Sequence, residues 1–109
     1  MPGQVHDSTI NSVLSYLAAN LGSIAVASGA QPAAGAASLS GEMARKDTAA
    51  VIAGNQLTKT TIFSEAEGNG AIRSIGLIGD AGLISSDAII NKTASQSLTV
   101  AVTIEVHRA

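Results

Sequence analysis

Residues 97–107 alternate strictly between large apolar side chains and small or polar ones, and no other part of the chain constrains the fold as strongly. The apolar positions are Leu98, Val100, Val102, Ile104 and Val106. A period of two residues is typical of a β-strand with one buried and one solvated face. Because the backbone N–H and C=O groups of such a strand need partners, the sequence predicts a sheet.

Residues 7–22 carry a helical pattern. Apolar side chains recur there at the spacing of one helix face, at Ile10, Val13, Leu14, Leu17 and Leu21. Gly22 is a natural stop. Two interpretations stay open at this point. The stripe covers one face of the sheet in its own chain, or Leu14, Leu17 and Leu21 form a docking stripe for another subunit.

Residues 28–41 consist of Ser, Gly, Ala, Gln and Pro with the single larger apolar residue Leu39. A segment of this composition buries little surface, which predicts a loop. Loops of this length are usually functional or mobile. The segment is therefore either a surface loop without a fixed partner or an arm that orders on assembly. For the second case we assign Ala33, Ala36 and Leu39 to the assembly interface.

Strand-forming segments separated by turn signals fill the rest of the chain. The predicted strands are residues 23–27, 42–53, 57–65, 71–78, 83–90 and 97–107. The strands on either side of Gly54-Asn55 form a predicted hairpin. The turn spacing is typical of a sandwich or barrel. The sequence predicts one mainly β domain over residues 1–109, a small antiparallel β-sandwich or barrel-like fold at 23–109 with one N-terminal α-helix.

Composition limits the core and the classes of partner. The chain is 46% hydrophobic but only 2% aromatic, with Tyr16 and Phe63 as its aromatic residues. The burial of small side chains contributes only slightly more free energy than the conformational entropy that folding costs. We therefore expect the chain to associate with further copies. A scattered net charge of −2 does not favour nucleic acid. No segment resembles a signal peptide or a membrane span.

The residues give no positive indication of an active site. His6 and His107 lie near opposite ends of the sequence, without a second ligand at metal spacing. Glu65, Glu67 and Asp80 are candidates to share a cation, but no calcium-loop pattern is complete. The sequence therefore predicts no catalytic residue, no cofactor and no metal site.

Four stretches resemble a group of short tailed-bacteriophage structural proteins labelled tail fibre, neck or head-associated proteins. They are the strand and loop from Ala25, the acid-to-arginine segment 42–45, the acidic Asn-Gly turn with its Ile-Gly-Leu strand in 63–77, and the Gly-Leu to Leu-Thr-Val run in 82–100. Ser74 and Ile78 depart from the pattern, because an acid and an aromatic residue are common there.

The resemblance implies a non-enzymatic virion subunit, made in the host cytoplasm and assembled on the capsid or tail. Two roles are open, a decoration or cement protein and a neck or tail-fibre adaptor. Expected partners are further copies, in a possible homotrimer, and major capsid, neck or tail proteins. The alternative is a small carbohydrate- or peptide-binding β-sandwich module.

Overall fold

Seven strands pair into two antiparallel sheets in the computed structural model, which describes residues 6–106. The elements are α1 (Asp7–Asn20), β1 (Ser23–Ala27), β2 (Glu42–Asp47), β3 (Ala49–Ala53), β4 (Gln56–Phe63), β5 (Gly70–Gly79), β6 (Gly82–Lys92) and β7 (Leu98–Glu105). Sheet A has the strand order β2-β1-β5-β6, and sheet B has the order β3-β4-β7. The mainly β fold with one N-terminal helix is confirmed, and its form is the sandwich.

The core lies between the two sheets. Ile24 and Val26 of β1 and Leu77 of β5 face Phe63 of β4 and Val100 of β7, and each of these side chains is at most 6% exposed. The predicted alternation of the last strand places Val100 in this core. His107, the end of the predicted strand, lies outside the described residues.

The prediction of one strand over residues 42–53 is wrong, because the chain changes sheets at Thr48. The segment before it pairs with β1 in sheet A, and the segment after it pairs with β4 in sheet B. The Thr48 N–H donates to the Gly22 carbonyl at 3.0 Å, which fixes the crossing. The predicted hairpin is confirmed only for β3 and β4, which meet at Gly54, where φ is +60°.

Helix α1 covers one end of sheet B. Ile10 and Leu14 pack against Leu57 of β4 in one buried cluster. Leu21, just beyond the helix, packs with Ile24 in the main core. Of the described helices, none is both long enough and apolar enough to span a bilayer.

Candidate assembly surfaces

The stripe of α1 packs against its own chain. Leu14 is fully buried and Leu21 is 2% exposed. Leu17 is half-buried and contacts two of the buried clusters. The interpretation of these three leucines as a docking stripe for another subunit is therefore corrected. Their side chains pack against Leu57 and against the core between the two sheets, so their contacts are intramolecular. The exposed apolar side chains of the helix are Val13 and Tyr16.

The loop of residues 28–41 folds over the outer face of sheet A. Leu39 is 6% exposed and packs in one cluster with Ala25, Ala27 and Ile78. The assignment of Leu39 to an intermolecular interface is therefore also corrected, because its side chain is buried on its own sheet. Ala33 and Ala36 are exposed, and they remain accessible to a partner.

Polar contacts hold this loop in place. The Ser74 hydroxyl of β5 donates to the Gly29 carbonyl at 2.8 Å. On β6, the Asp87 carboxylate accepts the Gln31 N–H at 3.0 Å, and the Ser85 carbonyl accepts from Gln31 Nε2 at 3.0 Å. The loop thus has a fixed place across β1, β5 and β6. Neither sequence-based interpretation, an unfixed surface loop or an arm that needs a neighbour, describes this arrangement.

Gly76 makes room for Leu39 on sheet A. A Cβ atom at position 76 would lie 2.9 Å from Cδ1 of Leu83 and 3.2 Å from Cδ1 of Leu39. Contacts this short would push the two leucines away. Glycine at this position of β5 therefore allows the loop to approach the sheet closely.

Within residues 6–106, no segment covers the outer face of sheet B in this way. Strand register aligns its residues in rows, such as Val51 with Thr58 and Thr103. Val51 is 66% exposed and Ile62 is 55% exposed. The full face consists of Ala49, Val51, Ala53, Gln56, Thr58, Thr60, Ile62, Thr99, Ala101, Thr103 and Glu105. We call this set the bare face.

Charge is nearly absent from the bare face. Its one charged side chain is Glu105, at one end, whose Oε2 accepts a hydrogen bond from Gln56 Nε2 at 3.2 Å. The hydroxyls of Thr58 and Thr103 lie 3.2 Å apart across the strand pair. Depletion of charged residues is the compositional mark of the centre of protein interfaces. The sequence signal for this face is the half of the alternation in β7 that carries Thr99 and Thr103, which the sequence pattern assigns to a solvated face.

Lys46 and Lys59 both lie on the inner side of the sandwich, in different environments. Lys46 Nζ donates to Glu67 Oε1 and to the Ile62 carbonyl, both at 2.8 Å. Together with the Ser64 N–H, this lysine lowers the pKa of Glu67 to about 2. Lys59 is 2% exposed. Burial lowers its pKa, and the negative charge of Asp47 offsets part of this shift.

The predicted candidates for metal binding are dispersed in the fold. Glu67 is engaged with Lys46, and Asp80 lies in the turn between β5 and β6. His6 is exposed next to the start of α1, and His107 lies outside the described residues. Within residues 6–106, no three His, Asp or Glu side chains come together as a group that could hold a metal ion.

Comparison with known proteins adds no relative. No family model, no curated protein and no solved structure matches this chain.

Proposed function

We propose that the chain is a non-enzymatic structural subunit of a tailed-phage virion that assembles through the bare face of sheet B. Two observations support this proposal. The bare face is an accessible surface with one charged side chain, Glu105. The sequence resemblance to phage structural proteins suggests that the assembly is a phage particle. The decoration or cement role and the neck or tail-fibre adaptor role are both compatible with a small sandwich.

The chemistry of the bare face favours contact with another protein. Burying alanine and threonine side chains requires no charge to be desolvated, unlike the burial of lysine or glutamate. Short side chains also allow a second sheet to stack at about 10 Å. The partner is a further copy, in a ring or a homotrimer, or a major capsid, neck or tail protein.

The carbohydrate-binding alternative lacks a stacking platform. Phe63 is fully buried, and Tyr16, 59% exposed on α1, is the exposed aromatic residue of the chain. Sugar recognition typically places aromatic rings on the binding surface. The peptide-binding form of the alternative would use a different part of the sandwich, the open edge of β7.

A pair of arginine substitutions tests assembly through the bare face. Thr60→Arg places a charge in the middle of that face, on its central strand β4, and Ala66→Arg places the same charge in the exposed turn between β4 and β5. Sedimentation velocity over a concentration series should show self-association of the wild type and of Ala66→Arg, and its loss in Thr60→Arg. If both variants behave like the wild type, the bare face is not the contact.

Labelling of phage particles tests the virion assignment itself. Particles made from a genome that encodes this chain are treated with an antibody to the chain and imaged by electron microscopy. Label spread over the heads indicates a decoration protein, and label at one neck or tail position indicates an adaptor. Complete absence of label would overturn the virion assignment.

A further inference from the structure

An apolar slot opens along one side of the sandwich, between β7 and the two last strands of sheet A. Its volume is about 320 Å³. Its lining includes Ile75, Ile84 and Ser86 of sheet A and residues 100–103 of β7. We call this space the β6–β7 slot.

The slot exists because sheet B is one strand narrower than sheet A. Sheet A has four strands, whereas sheet B has three and ends at β7. Ile84 and Ser86 are paired with Leu77 and Ile75, so both point to the inner side, towards sheet B. Yet Ile84 is 41% exposed and Ser86 is also exposed. This part of β6 therefore overhangs a position where sheet B has no strand.

The missing position lies beside an open strand edge. Within the described residues, β7 pairs with β4 along all eight of its residues, from Leu98 to Glu105, and has no strand on its other side. An edge strand presents alternating backbone N–H and C=O groups that can pair with another chain. The slot thus combines a hydrogen-bonding edge with an apolar ceiling formed by Ile75 and Ile84.

We propose that the β6–β7 slot binds an extended segment of another polypeptide chain, which adds to β7 as the fourth strand of sheet B. Strand addition takes its affinity from main-chain hydrogen bonds and its specificity from pockets for alternate side chains. No described residue that lines the slot is charged, so the inward side chains of the bound segment are aliphatic. This inference does not depend on the virion assignment, although the slot shares Ala101 and Thr103 with the bare face.

A second folded copy fits the slot poorly. If β7 of another copy paired antiparallel with this β7, β6 of that copy would need the space that β6 of the first chain already occupies. A single extended segment brings no second layer and avoids this collision.

Peptide binding to the wild-type chain provides the direct test. The probe is an acetylated and amidated peptide with three Thr-Val repeats between terminal lysines, carrying a fluorophore for anisotropy. Two further probes carry N-methyl groups, one on all valines and one on all threonines. Since alternate N–H groups of a strand point to opposite sides, one N-methylated probe should bind like the parent and the other at least tenfold more weakly. Equal behaviour of the two, or no saturable binding at about 1 mM peptide, would overturn the proposal.

Two substitutions on the same strand locate the binding site. Ile84→Asp changes the ceiling of the slot, whereas Ile89→Asp changes a side chain that is 88% exposed on β6 and does not line the slot. We expect at least a tenfold loss of peptide affinity in the first variant and none in the second, with both folded by circular dichroism. Equal affinity in both variants would overturn the proposal. If Ile84→Asp instead abolishes self-association and the peptide never binds, the occupant is a second copy and the proposal is wrong.

Discussion

The outer faces of the two sheets differ in whether the chain itself covers them. Sheet A is covered by its own chain, because Leu39 of the loop packs on Ala25, Ala27 and Ile78. Sheet B leaves its outer face open to solvent, with Ile62 55% exposed. The difference shows that the outer faces of the two sheets are completed in two ways. The apolar outer face of sheet A is covered by a loop of the same chain. The outer face of sheet B, which consists mainly of threonine and alanine, stays accessible to another molecule.

The inner faces of the two sheets are more alike. Sheet A contributes Ile24 to the core and also buries Lys92. Sheet B contributes Phe63 and also buries Lys59. The contrast between the sheets therefore lies in their outer faces. Changes to sheet A should therefore affect folding of the single chain, and changes to the outer face of sheet B should affect association.

Truncation of the loop leucine should produce the largest loss of stability. Leu39→Ala removes the apolar side chain that covers the outer face of sheet A, and we expect the free energy of unfolding to fall by about 2–4 kcal/mol. For a domain of this size, each ~1 kcal/mol lowers Tm by roughly 4–8 °C. Thermal and urea unfolding measure the change. Ser38→Ala, an exposed neighbour in the same loop, should change stability by less than about 0.5 kcal/mol. Equal effects would mean that the loop does not cover sheet A.

Replacing the buried lysine of sheet B should have a smaller effect of opposite sign. Lys59→Met keeps the length of the side chain and removes a charge that burial disfavours. We expect a gain of about 1 kcal/mol near neutral pH, at the lower end of what apolar replacement of buried ionic groups gives. The matched control is Lys46→Met, which should lose stability because Lys46 donates hydrogen bonds to Glu67 and to the Ile62 carbonyl.

The pH dependence of Lys59→Met gives an independent check. The pKa of Lys59 is lowered from its ordinary 10.5 in the folded chain, so the unfolded chain binds more protons between the two values. Wild-type stability should therefore rise with pH over that window and level off above 10.5. The gain in the free energy of unfolding of Lys59→Met over the wild type should be largest below the pKa that Lys59 has in the folded chain. It should shrink as pH rises from that pKa towards 10.5. A constant advantage at all pH values would show that the effect comes from packing.

The sequence predicted most of the strands because local patterns determine them. The alternation after Ser97 and the turn at Gly54-Asn55 were recognised from two-residue periods and turn chemistry, and both recur in β7 and in the β3–β4 hairpin. The break at Thr48 was missed, because a chain that moves from one sheet to the other keeps strand-forming residues on both sides of the crossing. The change is visible only in the strand pairing, in which residues 42–47 pair with β1 and residues 49–53 pair with β4.

The candidate surfaces were harder to predict, since each depends on contacts between distant residues. The pattern of Leu14, Leu17 and Leu21 is the same for a stripe that packs inward and one that docks outward. Gln31 reaches Asp87 across a sequence separation of 56 residues, which the composition of the loop does not show. The bare face and the β6–β7 slot require the strand order, and the sequence did not reveal that sheet B lacks a fourth strand.

The smallest expected change lies on the bare face, at Ile62. Ile62→Thr should alter the free energy of unfolding by no more than about 0.5 kcal/mol in a dilute sample, because a surface substitution removes few contacts. At high concentration, wild-type Tm should rise through association, and Ile62→Thr should reduce that rise. Thermal unfolding at two protein concentrations separates the two effects. A large loss in the dilute sample would mean that sheet B is covered within a single chain, and the contrast between the two sheets would fail.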